Sequence, residues 1–332
     1  MKTVISTDRV AAVELLRKGN LVALPTETVY GLAADALNSI AVAKIFEAKE
    51  RPRFDPLIVH LPNRGWLEKI ADVPAGDRQL IGKLAEKFWP GPLTIVFPKC
   101  EIVPDIVTAG LDTVAVRISA HRAFAEILGE LDQPLAAPSA NRFGRISPTT
   151  AGHVLDELDG RIPLIVDAGP TEHGIESTIV AIRDGRIAVL RHGPITNEQL
   201  SQFAVTSVVA TPRISSPGQL PSHYAPETAL RLIDNAEAFF PRKNQRVGLL
   251  AWHARTGDLQ LADRRTRERR SLRFAAVRSL SQRQDLREAA ANLFRLVREL
   301  DALDLDLIVA ERVPSLGLGA AIMDRLERAS YR

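Results

Sequence analysis

Between residue 8 and about residue 200, short apolar runs alternate with amphipathic stretches about three turns long. That alternation restricts the chain to an α/β architecture. Ser6-Thr7-Asp8 offers caps for a helix carrying Val10, Val13, Leu15 and Leu16, which Gly19 ends. Residues 21–24, closed by Pro25, read as a buried strand, and Asn38 caps a helix through Lys49. Further strands read at 56–61, 93–97, 113–118, 135–137, 164–166, 177–182 and 187–191, with helices at 77–88, 121–130, 149–158 and 196–202. So many strands among helices imply a large twisted mixed sheet covered by helices, filling residues 1–203.

The pattern breaks at 204–228, where Pro, Gly and Ser crowd 215–226, so this stretch reads as an interdomain linker. Beyond it, 229–332 reads as a small Rossmann-like parallel α/β domain. Strands at 230–233, 247–252 and 305–310 flank a long helix bearing Leu286, Ala290, Leu293, Val297 and Leu300. Gly317-Leu318-Gly319, with Ile322 in place of a third glycine, opens the last helix and is no dinucleotide fingerprint. The basic run R-R-T-R-E-R-R at 264–270 reads as a solvated face, with RNA contact as the sharper alternative.

Composition removes several classes. Lys+Arg 43 against Asp+Glu 40, with 45% apolar residues, is globular and admits anionic ligands without demanding them. No apolar stretch approaches the roughly 20 residues of a membrane span, and Met1-Lys2-Thr3-Val4-Ile5 lacks a signal peptide's apolar block. Cys100 is the only cysteine, so no internal disulfide forms, which agrees with a cytoplasmic location. The 7 histidines never fall at zinc-binding spacing, and neither a G-x-S-x-G elbow nor a P-loop occurs.

The chemistry-bearing residues gather where strands end, which is where open α/β sheets place ligand crevices. Pro25-Thr26-Glu27-Thr28-Val29-Tyr30-Gly31 follows a strand and brings two hydroxyls, a carboxylate and a phenol, with Gly31 allowing a tight bend. Lys49-Glu50-Arg51-Pro52-Arg53 ends a helix. Its cations complement the macrodipole, and Lys49 and Arg51 also suit a polyphosphate. His60 stands at a strand exit, as a structural residue or a functional one. Arg117 interrupts an apolar strand, with Thr113 and Ala115 on its face, and its burial demands a protein or a ligand carboxylate. Pro138-Ser139-Ala140-Asn141 and Ser147-Pro148-Thr149 add hydroxyls at a strand end and a helix start.

Taken in order, P-T-E-T-V-Y-G-L, K-x-R-P, P-L-I-V-H, W-P-G-P-L-T, G-L-D-T-V-A-V-R, A-A-P-S-A-N and E-S-T-I resemble the YrdC family. Ser-His-Tyr-Ala-Pro at 222–226 and the segment at 317–325 are similar to its long form, the threonylcarbamoyl-AMP synthases with an extra C-terminal domain. The resemblance implies synthesis of L-threonylcarbamoyl-AMP and pyrophosphate from L-threonine, bicarbonate and ATP. It implies Mg²⁺, bound mainly through the ATP phosphates, and a product passed to a threonylcarbamoyl transferase and tRNA. Carried over by motif, Thr28, His60, Arg117, Ala137 and Ser177 would hold threonine, with Arg117 on its carboxylate. Lys49, Arg51, Asp55, Thr113, Ser139, Asn141, Ser147 and Arg191 would line the nucleotide, and Tyr224 would close over it from the linker. Asp55 stands where relatives often carry Asn or His, and Met323 where Asn is common. His60 is the candidate general base on chemistry alone.

Two readings of other kinds compete. An RNA-binding module would use the basic surface, yet RNA readers supply stacking aromatics, which make up only 5% here. Carbamoyl transfer to a protein, as in hydrogenase maturation factors, needs zinc-finger segments that a single cysteine cannot build.

Overall fold

A computed structural model describes residues 2–52, 54–208, 223–253 and 274–331. It divides into two compact units, one of Met1–Phe143 and Ser147–Leu220, the other of Gly144–Ile146 and Pro221–Arg332. In the first unit the strands are β1 (Val4–Ser6), β2 (Val22–Leu24), β3 (Gly31–Asp35), β4 (Ile58–His60), β5 (Leu93–Pro98) and β6 (Thr113–Arg117). They continue with β7 (Leu135–Ala136), β8 (Leu164–Val166), β9 (Thr178–Arg183), β10 (Arg186–Arg191) and β11 (Thr206–Val208). All join one sheet in the order β1-β8-β2-β3-β7-β4-β6-β5-β9-β10-β11. Its centre is mixed: β4 runs parallel to β6 and β5 parallel to β9, while β6 and β5 are antiparallel.

The helices follow from caps and apolar faces. Asn38 accepts from the Ile40 and Ala41 amides at 3.0 and 3.1 Å, starting the helix Ser39–Lys49. Its Val42, Ile45 and Phe46 join Leu32, Val59, Ile95 and Val116 in the main core. Glu50, in the left-handed region at φ 52°, ends the helix and leaves Lys49 at its tip.

Three strands of the first unit depart from the sequence reading. Val4–Ser6 is an edge strand parallel to β8 rather than the approach to a helix. Gly31 begins a strand instead of making a bend. A Cβ there would lie 3.2 Å from the Ala137 Cβ, a tight approach that glycine avoids. Thr206–Val208 pairs with β10, so the large sheet reaches into the stretch read as linker. Residues 209–222, including Ser222, and the basic run at 264–270 lie outside the described residues.

The second unit holds β12 (Leu230–Ile233), β13 (Val247–His253), β14 (Ala276–Ser281) and β15 (Leu307–Glu311). All pair in parallel, in the order β12-β15-β13-β14, as the apolar strand–helix–strand pattern requires. Helices Leu286–Asp301 and Leu318–Ser330 accompany the sheet. Gly319 has no alternative, since a Cβ would meet the Pro314 carbonyl. Gly144–Ile146 is part of this unit: the Ala225 amide donates to Gly144 O at 2.9 Å, Arg145 pairs Glu227, and Arg298 donates to Ile146 O. Among the described residues no helix is long and apolar enough to cross a membrane.

Candidate active site

Strand register lines up one end of the central sheet. His60 on β4 is directly opposite Arg117 on β6. Because Val116 faces Ile95 across the antiparallel pair, Arg117 comes level with Thr94. Thr94 Oγ1 lies 2.8 Å from Ser177 Oγ, just before β9, and Ser177 Oγ accepts from Arg191 Nη2 at 3.0 Å. His60, Arg117, Thr94, Ser177 and Arg191, from five neighbouring strands or their ends, therefore form one polar row over an apolar sheet.

Arg117 organises the first half of that row. Its Nε donates to Gly91 O at 3.2 Å and its Nη1 to Thr28 Oγ1 at 3.0 Å, while Nη2 stands 2.5 Å from Glu27 Oε1. Thr28 is fixed in turn: Thr26 Oγ1 donates to Val29 O at 2.6 Å, so the 2.8 Å contact between the hydroxyls carries the Thr28 proton to Thr26. Ser119 donates to the other Glu27 oxygen. Burial alone would raise the Glu27 pKa, but the Arg117 charge and the hydrogen bonds from Ser119 and Arg117 hold it down at about 2. The anion that a buried arginine demands is thus supplied by the protein. Nη2 is ion-paired with Glu27 but has no other hydrogen-bond partner, so donor capacity remains on the terminal nitrogens for a ligand carboxylate.

His60 is 2% exposed, with its ring 4.8 Å from Phe124 and Nδ1 without a hydrogen-bond partner. Burial first, then the Arg117 charge, lowers its pKa to about 3. An imidazole so hard to protonate is a weak base, which counts against His60 as the proton acceptor. The sign is definite. Below pH 6.5 the unfolded chain takes up the proton that the folded one refuses, so stability falls between 6.5 and 3 by several kcal/mol. Glu27 adds to the loss from pH 4.5 down to 2. The His60 ring-proton shifts should stay constant from pH 8 to pH 5. A titration midpoint inside that range would show the ring to be solvated.

The second half is cationic. Lys49 is 1% exposed, and its ammonium donates to Ser139 O at 2.6 Å and to Asn141 O, pinning the P-S-A-N loop to the helix end. Burial, then the Arg51 charge, pushes its pKa well below the usual lysine range. Arg51 pairs Asp55 Oδ2 at 2.9 Å and donates to Pro56 O at 2.8 Å, which closes the loop leading into β4. Burial raises the Asp55 pKa against the pull of Arg51, Lys49 and Arg191. Arg191 also donates from Nε to Ser177 O at 3.1 Å, so Ser177 joins the two halves.

Ala137 flanks this site through its backbone, its amide donating to Ile58 O at 3.0 Å. Ser147 donates to Glu176, the neighbour of Ser177. The Asn141 side chain donates to Arg142 O at 2.7 Å. Thr113 opens β6 opposite Pro98, about 13 Å along the strand from Arg117. Tyr224 belongs to the second unit, 1% exposed, its ring 4.0 Å from that of His223 and 5.5 Å from that of Phe294. Glu27, Thr94 and Ser119 are contact partners of this row that the sequence reading assigned no place in the site. For Glu27 a signal existed, a carboxylate between two threonines and a buried arginine lacking an anion. Among the described residues no three His, Cys, Asp or Glu converge as a protein-only metal site would.

Residues 14–193, which contain this whole polar row, match the Sua5/YciO/YrdC family, described as "Telomere recombination". The chain belongs to the Sua5/YciO/YrdC family. Residues 195–330 match a second description, "Threonylcarbamoyl-AMP synthase, C-terminal domain", so this is a long-form Sua5/YciO/YrdC protein. It is 38% identical to the threonylcarbamoyl-AMP synthase of Pyrococcus abyssi, over 98% of this chain and 94% of that one. Against the Bacillus subtilis enzyme of the same name the identity is 39%, over 96% and 92%. The crystal structure of P. abyssi Sua5 complexed with L-threonine superposes with a TM-score of 0.84 at 36% identity, covering 99% of this chain and 98% of that one.

Proposed function

We propose that this protein is an L-threonylcarbamoyladenylate synthase, converting L-threonine, bicarbonate and ATP to L-threonylcarbamoyl-AMP, pyrophosphate and water. The observation that carries the reading is the juxtaposition of two recognition elements in one row. A guanidinium braced by Glu27, Thr28 and Gly91 suits an amino-acid carboxylate, and a cluster of Lys49, Arg51 and Arg191 suits a polyphosphate. Its long-form relatives bear the synthase name, and the P. abyssi relative was crystallised with L-threonine.

The chemistry needs no side-chain nucleophile. The threonine ammonium first gives up a proton to solvent; the free amine then captures the carbon of bicarbonate, water leaves, and a carbamate anion results. A carbamate oxygen then attacks the α-phosphorus, the bond to the β-phosphate oxygen breaks, and pyrophosphate leaves. Arg117 and Thr28 fix the amino acid, with His60, the Ala137 backbone and Ser177 beside it. Lys49, Arg51 and Arg191, with Ser139, Asn141, Ser147 and Thr113 around the nucleotide, offset charge on the polyphosphate. Positioning and charge stabilisation suffice for such transfers. Mg²⁺ enters as part of the MgATP substrate, neutralising phosphate charge. The adenylate would pass to a threonylcarbamoyl transferase acting on tRNA.

Pyrophosphate release is expected to require threonine, bicarbonate, ATP and Mg²⁺ together, and to proceed without tRNA. Equal release with threonine omitted would refute the substrate assignment. A gel-shift with bare tRNA, run alongside, separates a synthase from an RNA binder.

A further inference from the structure

The Asp55 carboxylate is 1% exposed, and neither of its oxygens has a hydrogen-bond partner. It is not loose: Oδ2 is paired with Arg51 at 2.9 Å, and Arg51 Nε donates to the Asp55 carbonyl at 3.2 Å. Arg51 therefore holds one carboxylate oxygen and leaves the other inside the cationic cluster. An oxygen so placed needs a donor or a cation. The oxygens of an ionised triphosphate are acceptors only. Bare nucleotide would bring like charge against Asp55, whereas a hard divalent ion accepts oxygen ligands from both.

We propose that Asp55 Oδ1 is a ligand to the divalent cation carried by the nucleotide, so that the cluster takes metal–ATP and discriminates against free ATP. This rests on the nucleotide reading of the same site. With no group of three His, Cys, Asp or Glu converging among the described residues, the ion is held jointly by Asp55 and the phosphates. It should not bind before them.

Calorimetry on the full-length protein tests this with ATP in Mg²⁺, ATP in a chelator, and Mg²⁺ alone. For the unaltered protein, Mg²⁺ should tighten ATP binding at least tenfold, and Mg²⁺ alone should give no heat. In Asp55→Asn the Mg²⁺ effect should shrink below threefold, mainly because chelated ATP binds better. An undiminished Mg²⁺ effect in Asp55→Asn would leave Asp55 as the Arg51 partner only, and tight binding of Mg²⁺ alone would exclude a shared ion. Should the variant not fold, the unaltered protein carrying ¹³C-carboxyl aspartate and loaded with Mn²⁺·ATP decides. Electron–nuclear double resonance should show a ¹³C coupling, and its absence overturns the proposal. If ATP binds under no condition, the nucleotide reading itself fails.

Discussion

Arg117→Ala should abolish threonine-dependent pyrophosphate release and also weaken the fold, whereas Arg117→Met combined with Glu27→Gln should recover the fold without the activity. Removing the guanidinium alone leaves the Glu27 carboxylate buried without a countercharge, held by the Ser119 hydroxyl and its own backbone amide, a loss of about 3–5 kcal/mol of stability. Pairing the change with Glu27→Gln removes the stranded charge, and an apolar Met fills much of the arginine's volume. Unfolding free energies should then return to within about 1–2 kcal/mol of the unaltered protein. Threonine use should not return, because the carboxylate contact is worth about 2–5 kcal/mol at the transition state. The readouts are equilibrium unfolding and kcat/KM for threonine measured at saturating ATP. Normal threonine kinetics in the double variant would make the ion pair purely structural.

Lys49→Met should raise the KM for ATP and depress kcat/KM for ATP by about two orders of magnitude, with a smaller change in the KM for threonine. The ammonium joins Ser139 O and Asn141 O, so its removal unpins the P-S-A-N loop and takes a cation from the polyphosphate cluster at once. Each stranded carbonyl costs about 1–3 kcal/mol unless the loop moves out to water, and that movement misplaces the Ser139 and Asn141 side chains. Lys49→Arg should rescue little. A planar fork does not fit two carbonyls converging on one nitrogen. Equal losses for ATP and threonine would point to collapse of the whole row rather than of its nucleotide half.

Much of this architecture is legible in the residues. Asn38, Asp8 and the runs at 21–24 and 113–118 carry their own caps and periodicity, and the segments they predict are those observed. Gly31–Asp35 escaped notice because G-L-A-A-D offers neither β-branched residues nor alternation. It becomes a strand through its neighbours β2 and β7, distant in sequence. Ala276–Ser281 was missed for a similar reason, its mixed A-V-R-S-L-S pattern being settled by pairing with β13. At the site, residue types were readable and partnerships were not. That Arg117 needs an anion follows from its strand, but that the anion is Glu27 depends on a loop 90 positions earlier (117 − 27). The order β4-β6-β5-β9-β10, which sets His60, Arg117, Thr94, Ser177 and Arg191 side by side, is written in no local segment.

The membership of Gly144–Ile146 in the second unit bears on how the chain is assembled during synthesis. These residues leave the ribosome between Asn141 and Ser147, yet Ala225, Glu227 and Arg298, which hold them, emerge roughly 80 to 150 residues later. At translation rates of about 5–20 residues per second, they wait about 4 to 30 seconds for those partners. The strands of the first unit can pair in that interval, but the bridge from the P-S-A-N loop to Ser147 cannot take its final hydrogen bonds. A nascent chain therefore completes the Gly144–Ile146 segment only after the helix Leu286–Asp301, which carries Arg298, has been made.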